Sequence, residues 1–415
     1  MGSKIKKNLQ YYKFCLYGFL KNLRFFDAFI LLFFLSNGLS YLQIGVLYSV
    51  KEVILVVSEI PGGVVADALG RKKIMVLAFI TYIVSFVIFY LAGGFYAFLL
   101  AMVVFSLADS FRTGVHKAMI YHYLRVNGKE DQKVNYYGHT RSWSQMGTAI
   151  SSLLAGILVL YSDSYRIIYL ASIVPYVLDL ILLISYPSYL DGERKILSGR
   201  RILKEFKEVT GNFWKSLKTW KMFRTMTNSA LYDGYYSAIK DYFQPLLKTL
   251  ALAIPIFAYL NDQDRIAVTV GIFYFIAYML TALASRKSEK LVDLFHDPFK
   301  PMNFTLIAGF SVGIIAGAFF LLDWMVASAV AFILVLIIEN LRKPIGVALV
   351  AELSHESAYA TVLSTNSQAK SLFSALLALL IGFLAEYFNP GVAIAATSLL
   401  LLLSMPVYWL RSKSQ

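Results

Sequence analysis

Stretches of about twenty apolar residues recur from one end of this chain to the other, and that recurrence limits the fold more than any other feature. A helix of that length crosses roughly 30 Å of hydrocarbon. Inside lipid every backbone N–H and C=O must be satisfied by the protein itself, so long continuous runs read as helices rather than strands. Composition agrees: hydrophobic residues make up 58% of the 415 and charged residues only 15%, against about half and a quarter in soluble domains. The sequence therefore predicts an all-α membrane protein.

Twelve spans are read near 14–36, 41–66, 74–92, 96–121, 136–160, 166–186, 224–246, 266–285, 303–321, 325–350, 360–386 and 391–410. Arg71 to Lys73, Arg125, Lys129, Lys133, Arg286, Lys287, Lys290, Arg411 and Lys413 fall on one side of these spans, while the other side has little beyond Arg166, Lys248 and Arg265. The positive-inside rule then puts both termini in the cytoplasm, in a multi-pass protein of a bacterial-type plasma (inner) membrane. No cleavable signal is read in "MGSKIKKNLQYYKF", which has cations but no short apolar core with a small-residue cleavage site. The single Cys15 permits no internal disulfide.

The longest polar stretch, 187–223, divides the chain into six-span bundles at 1–186 and 224–415. It is expected to be a cytoplasmic basic linker. Within it, "NFWKSLKTWKMF" sets Phe213, Leu217, Trp220 and Phe223 on one helical face among lysines, the pattern of a helix lying in the membrane surface. A tether to anionic headgroups is preferred to a partner-binding site, and it accounts for the net charge of +14 without invoking nucleic acid.

A six-plus-six chain invites a search for an internal repeat. Asn22 precedes Asp27 by five residues in span 1, as Asn228 precedes Asp233 in span 7; Asp109 and Arg112 in span 4 match the spacing of Glu339 and Arg342 in span 10. The matches are short, but they fall in corresponding members of the two halves.

The stretch "GGVVADALGRKK" resembles the loop 2–3 signature of the major facilitator superfamily, G-x-x-x-D-x-x-G-R-[KR]-[KR], through Gly63, Asp67, Gly70, Arg71, Lys72 and Lys73. "GLSYLQIG" before span 2 is a weaker likeness, and "ASRKSEK" after span 8 is a degraded echo lacking the aspartate. The resemblance implies two pseudo-symmetric six-helix bundles around a central cavity lined by spans 1, 4, 7 and 10, working by alternating access. It also implies that the signature is a conformational latch, with Asp67 meeting Arg71 and the start of span 11. Gly63 would allow a close helix approach, and Gly70 the positive φ of a tight reversal.

A charge at the centre of a membrane helix costs about 2.5–3.5 kcal/mol on insertion scales, so such residues face a partner or a wet cavity. Span 1 carries Arg24 and Asp27, span 4 Asp109, Arg112, His116 and Lys117, span 7 Asp233, Lys240 and Asp241, and span 10 Glu339, Arg342 and Lys343. Helical spacing puts Asp109, Arg112 and His116 on one face, makes Arg24 and Asp27 a one-turn pair, and aligns Glu339 with Arg342 or Lys343. Lys51, Glu52, Arg141 and Lys370 add charge in spans 2, 5 and 11.

Arginine grasps carboxylate or phosphate bidentately, so Arg112 and Arg342, expected to face each other, are the candidates for an anionic group, with His116 and Lys117 adding to the field. Asp27, Asp109, Asp233 and Glu339 are candidates for proton carriage or for pairing with a substrate amine, since burial in apolar surroundings raises a carboxylate's proton affinity in general. Tyr236, with Tyr232 and Tyr235, is the aromatic group expected to meet substrate. The alternative for each ionic pair is a purely structural role.

Other chemistry has little support. The five histidines form no i, i+4 pair and there is no cysteine cluster, so no metal site is expected. No phosphate-cradling glycine loop with lysine is present, which speaks against ATP drive, and no nucleophile and base are arranged for catalysis, so neither cofactor nor enzyme activity is expected. Span 5 lacks the Gly-Pro pair typical of proton-driven drug antiporters, and Arg112 stands too close to Gly114 for the Arg-x-x-x-Gly proton-transfer pattern. The expectation is a monomeric secondary transporter of a polar organic anion or zwitterion, coupled to protons. The rival readings are a proton-coupled exporter of drugs or amphiphiles and, from another class, a non-transporting receptor or scaffold.

Overall fold

The computed structural model describes residues 7–129, 132–191, 220–255, 257–297, 299–352 and 359–411, with four isolated positions between 203 and 211. Among the described residues all regular structure is helical. In chain order the helices are α1 (Leu9–Lys21), α2 (Ile30–Ser36), α3 (Tyr41–Leu69), α4 (Arg71–Leu91), α5 (Phe95–Arg112), α6 (Val115–Val126), α7 (Lys133–Ser162) and α8 (Ile167–Ile184). They continue with α9 (Trp220–Ile239), α10 (Phe243–Ala253), α11 (Asp262–Arg286), α12 (Ser288–Phe295), α13 (Phe299–Leu321), α14 (Met325–Glu352), α15 (Tyr359–Tyr387), α16 (Pro390–Leu403) and α17 (Met405–Tyr408). Short 3₁₀ turns occupy Ser188–Asp191 and Lys240–Tyr242. The interfacial helix expected at 213–223 lies mostly outside the described residues, although Trp220 and Phe223 do stack at 5.1 Å in the first turn of α9.

Eight of the described helical segments are long and apolar enough to cross a bilayer on their own. The remaining expected spans are interrupted or polar, each for a visible reason. Span 1 is not the continuous helix expected over 14–36: α1 stops at Lys21, and a turn-rich segment runs to Phe29 before α2 begins. Span 2 is continuous as α3 but carries Lys51, Glu52, Glu59 and Asp67. Span 7 is divided by the Lys240–Tyr242 turn, and span 12 at Ser404. Span 4, expected over 96–121, also changes direction, because Thr113 is extended and Gly114 takes φ 78.

The chain divides into two compact units, Met1–Phe29 with Ile54–Phe206, and Ile30–Val53 with Lys207–Gln415. This partition differs from 1–186 and 224–415 in one segment, since α2 and the first part of α3 cluster with the second unit. There the first N–H groups of α2, at Leu31 and Leu32, donate to the Gln244 side-chain oxygen at 2.8 and 3.2 Å. In lipid such exposed helix-end donors need a protein acceptor.

The first unit packs α4 against α5 and α8, and α1 against α7. Its interior is aromatic, with Phe86 lying 4.8 Å from Tyr176 and Phe26 stacked on Tyr169 at 5.3 Å. In the second unit α13 packs on α14 and α16, and α9 on α15. Gly309, Gly313 and Gly317 recur every fourth residue along α13 and receive Tyr232, Tyr235 and the Gly391 backbone; a methyl at any of them would collide. Small residues on one stripe are how membrane helices gain contact without a hydrophobic driving force.

Candidate functional site

In the first unit the interruption of span 1 builds the site. Asn22 closes α1: its backbone N–H reaches Phe19 and Leu20 carbonyls, and its side-chain amide donates to Gly18 at 2.6 Å. The Tyr176 hydroxyl donates to the last α1 carbonyl, at Lys21, at 3.2 Å and accepts from Arg24 Nε at 3.1 Å. The break thus delivers Arg24 into the unit with its backbone partly satisfied by a neighbouring helix, as non-helical backbone at this depth requires.

Arg24 and Asp27, expected as a one-turn pair, are joined through the backbone, where the Asp27 N–H donates to the Arg24 carbonyl at 3.1 Å, and the Arg24 guanidinium forms an ion pair with another span. Its Nη2 lies 3.6 Å from Asp109 Oδ1. The same oxygen accepts from Arg112 Nη2 at 2.6 Å and Nε at 3.2 Å, and from the Tyr82 hydroxyl, which in turn accepts from Arg112 Nε at 3.0 Å. One carboxylate therefore holds two guanidiniums from spans 1 and 4.

The expected single face of Asp109, Arg112 and His116 is corrected by the break at Gly114. His116 and Lys117 begin a new helix, and His116 stacks on Tyr17 at 3.7 Å with Nε2 3.2 Å from the Tyr186 hydroxyl. Both residues nonetheless return to Arg112, because a cavity of about 150 Å³ is lined by Lys21, Arg112, His116, Lys117 and Arg141, together with Thr140 and Ser144. No acid lines it. Lys21 is a cation that the sequence reading overlooked, and a lysine three residues before Arg24 within an apolar run was an available signal. Asp179 was also overlooked: it is fully buried in α8, and neither carboxylate oxygen has a hydrogen-bond partner among the described residues.

In the second unit Asp233, Tyr236 and Lys240 follow one another at helical spacing along span 7, and Tyr236 is half-buried while Tyr232 and Tyr235 turn inward. Tyr235 bonds Ser398 at 2.6 Å and Tyr232 packs on Phe310, so of the three only Tyr236 remains at the edge of the packing. Lys343 Nζ lies 3.9 Å from Asp233 and 3.7 Å from Glu339, joining spans 7 and 10. Glu339 is buried, and apart from that lysine its oxygens find no hydrogen-bond donor among the described residues. Lys240 pairs with its neighbour Asp241 at 3.6 Å.

Arg342 departs from expectation. It is 1% exposed, donates through Nη2 to the Asn228 carbonyl at 2.7 Å and to Asn228 Oδ1 at 2.9 Å, and lies 4.4 Å over the Tyr232 ring. Its fork is enclosed by its own unit, and Glu339 pairs with Lys343 instead. The Asn–Asp repeat is likewise not matched in geometry, since Asn22 caps a helix end whereas Asn228 sits within α9, where it bonds Arg342 and the Tyr408 carbonyl.

The signature loop is held within the first unit. Gly70 takes φ 100, and Asp191 sits where its Cβ would be. Asp191 accepts the Lys72 backbone N–H at 2.7 Å, capping α4, and Lys72 Nζ donates to the Tyr186 carbonyl at 2.7 Å. Asp67 and Arg71 are 3.9 Å apart and both are partly exposed, and Lys73 is exposed. A close helix approach occurs one residue before Gly63, where a Cβ on Gly62 would lie 3.2 Å from the Ser110 carbonyl; among the described residues none lies within 4 Å of a Cβ built on Gly63. Side chains at the start of span 11 lie outside the described residues.

The family model described as Major Facilitator Superfamily matches residues 18–341. An uncharacterized MFS-type transporter of Bacillus subtilis (strain 168), YxaM, is 22% identical over 389 residues, which cover 92% of this chain and 90% of that protein. Among solved structures, a single-substitution variant of the nucleoside transporter NupG aligns with a TM-score of 0.75 at 15% identity, covering 96% of this chain and 99% of the other. A bacterial homolog of the human lysosomal transporter Spinster, inward-facing and unoccupied, aligns with a TM-score of 0.71 at 15% identity over 97% of both chains. At these identities the structural likeness establishes the fold.

Proposed function

The chain belongs to the major facilitator superfamily and is a multi-pass membrane transporter of that type, and from this premise we propose that it carries a polar organic anion or zwitterion by alternating access, coupled to protons, in a bacterial inner membrane. The observation that carries the reading is the basic cavity of the first unit, where Lys21, Arg112, Lys117 and Arg141 meet without a lining acid. A path for lipophilic cations would place a carboxylate among the aromatic side chains Phe14 and Tyr17 that line this cavity. The role proposed for the Asp233–Lys343–Glu339 cluster is proton exchange: two carboxylates that share one lysine change their interactions substantially when one of them gains or loses a proton.

Alternating access needs contacts that form in one state and break in the other. The Asp67–Arg71 pair suits that role because it is long and partly exposed, and a weak pair is easily exchanged for another.

Reconstituted protein tests the proposal. Liposomes preloaded with mixed carboxylates, amino acids and phosphate esters should show counterflow of at least one anionic or zwitterionic class, accelerated by an imposed pH gradient. Counterflow confined to lipophilic cations, or ligand binding with no flux for any class, would refute it.

A further inference from the structure

We infer that Asp179 is a proton-binding site of the first unit, and that its proton determines whether Lys21 serves the basic cavity or the carboxylate. The inference goes beyond the transport reading and rests on it only for the use made of the proton. Asp179 is the one charged residue of α8, a helix of membrane-crossing length and hydropathy. Its exposure is 0%, and neither carboxylate oxygen has a hydrogen-bond partner among the described residues. No cationic nitrogen of those residues lies within ion-pair distance of it either. An ionised carboxylate so placed has lost its hydration and gained nothing in exchange, and such a group takes up a proton instead. Asp109 shows the other solution in the same unit: it is also enclosed, but it receives Arg112 at 2.6 Å and the Tyr82 hydroxyl.

The surroundings give that proton a consequence. Tyr176, one turn before Asp179 on the same face of α8, donates its hydroxyl to the Lys21 carbonyl at 3.2 Å and accepts from Arg24 Nε at 3.1 Å. The end of α1 that delivers Lys21 to the cavity wall is therefore braced on the face that carries Asp179. Around the carboxyl, α1 contributes Tyr17 and Lys21, and the segment after α8 contributes Tyr186. On the elements packed against α8, the ionisable groups on this side are Tyr82 and Lys72 of α4 and Arg141 of α7. Lys72 is engaged by the Tyr186 carbonyl, and Arg24 and Arg112 by Asp109. With the proton bound, Lys21 stays in the cavity wall, where its charge meets an incoming anion. With the proton lost, the carboxylate gains a counter-charge by drawing the Lys21 ammonium from that wall. Proton and anion thus occupy the unit together.

The experiment melts full-length protein in phosphatidylcholine nanodiscs between pH 6 and pH 9 as the parent, Asp179→Asn, Lys21→Gln and the double variant. Asparagine exchanges one neutral group for another, so Asp179→Asn should melt within about 4 °C of the parent at pH 6. Towards pH 9 the parent should fall relative to the variant, because a carboxyl that is neutral when folded and ionised when unfolded loses stability as pH rises. The effects of Asp179→Asn and Lys21→Gln should add at pH 6 and cease to add at pH 9, where the carboxylate has taken Lys21. An infrared spectrum at pH 6 should contain a protonated-carboxyl stretch that Asp179→Asn removes, a signature that an ionised aspartate of structural role lacks. A larger drop in melting at pH 6, non-additivity at that pH, or an infrared spectrum unchanged by the substitution overturns the inference. So does failure of both Asp179→Asn and Asp179→Leu to fold, since a neutral side chain is what the site is held to accept. Additivity at pH 9 overturns the part given to Lys21. No substrate enters these measurements, so counterflow can fail with the proton site upheld, and the proton site can fail with counterflow intact.

Discussion

Replacing Asp109 by asparagine tests whether the network in the first unit is a real ionic junction. Asp109 Oδ1 lies 2.6 Å from Arg112 and 3.6 Å from Arg24, and the three side chains are only 14–17% exposed. At an effective dielectric near 20, each such attraction is worth about 4 kcal/mol before desolvation is subtracted. Asparagine keeps the shape and an acceptor for Tyr82, and it removes the carboxylate's own desolvation penalty, but it leaves two guanidiniums without a counter-charge. Breaking a buried pair on one side costs about 3–5 kcal/mol; with a retained acceptor the lower end, about 3 kcal/mol, is expected. Carrying over the soluble-protein scale of about 2–4 °C per kcal/mol for 150–250 residues, the melting temperature in detergent should fall by about 6–12 °C. Asp67→Asn is the control: its pair is 3.9 Å long and 24–30% exposed, so stability should change by no more than about 0.5 kcal/mol. The informative complement is Arg24→Gln combined with Asp109→Asn, where relief of the unpaired charge should return about 1–3 kcal/mol of coupling. Asp109→Asn melting within 2 °C of the parent would show that neither arginine depends on Asp109, and the ionic account of this unit would fail.

Other outcomes follow from the same geometry. Gly70→Ala places a Cβ against the Asp191 carboxylate on a backbone with φ 100, and should cost about 1–2 kcal/mol in thermal unfolding and slow turnover more than it weakens ligand binding. Arg342→Lys keeps a charge but loses both the fork on Asn228 and the stack on Tyr232, so destabilisation of about 1–3 kcal/mol is expected, read by melting and not rescued by ligand. Glu339→Gln should leave folding intact and abolish acceleration of flux by an imposed proton gradient; flux in liposomes that still responds fully to the gradient would move proton exchange elsewhere.

The helical membrane architecture was legible because a bilayer imposes one length and one hydrogen-bonding rule on every span. The ionic residues were legible for the same reason, as costly exceptions in apolar runs. What could not be read was where the helices stop. Nothing in "KNLRFFDAF" breaks a helix by propensity; the break at Asn22 is stabilised by Tyr176 on another helix, a tertiary partner invisible to local pattern. Once that break and the one at Gly114 exist, spacing rules of i, i+3 and i+7 no longer apply across them. Hence Arg24 reaches Asp109 on another span, and His116 finds Tyr17. Inside an unbroken helix the same rules held better: Glu339 does pair with a cation on its own face, although with Lys343 and not Arg342.

Corresponding positions of the two halves have been put to different chemical use, and the difference follows from how each arginine is bound. Arg112 is held by a carboxylate, and a charge held by a charge can be shared with an anion that approaches from the open side. Arg342 is held through Nη2 by a carbonyl and an amide oxygen and lies over an aromatic face, neutral partners that enclose it. A cation so enclosed gains more from keeping its packing than from meeting a ligand, because exposure would forfeit the Tyr232 stack and leave Asn228 unpaired. Glu339 in that half therefore falls to Lys343, a partly exposed side chain that lies within 4 Å of both Asp233 and Glu339. A basic cavity in one unit and a lysine shared by two acids in the other are thus two consequences of one choice, namely which neighbours hold the arginine.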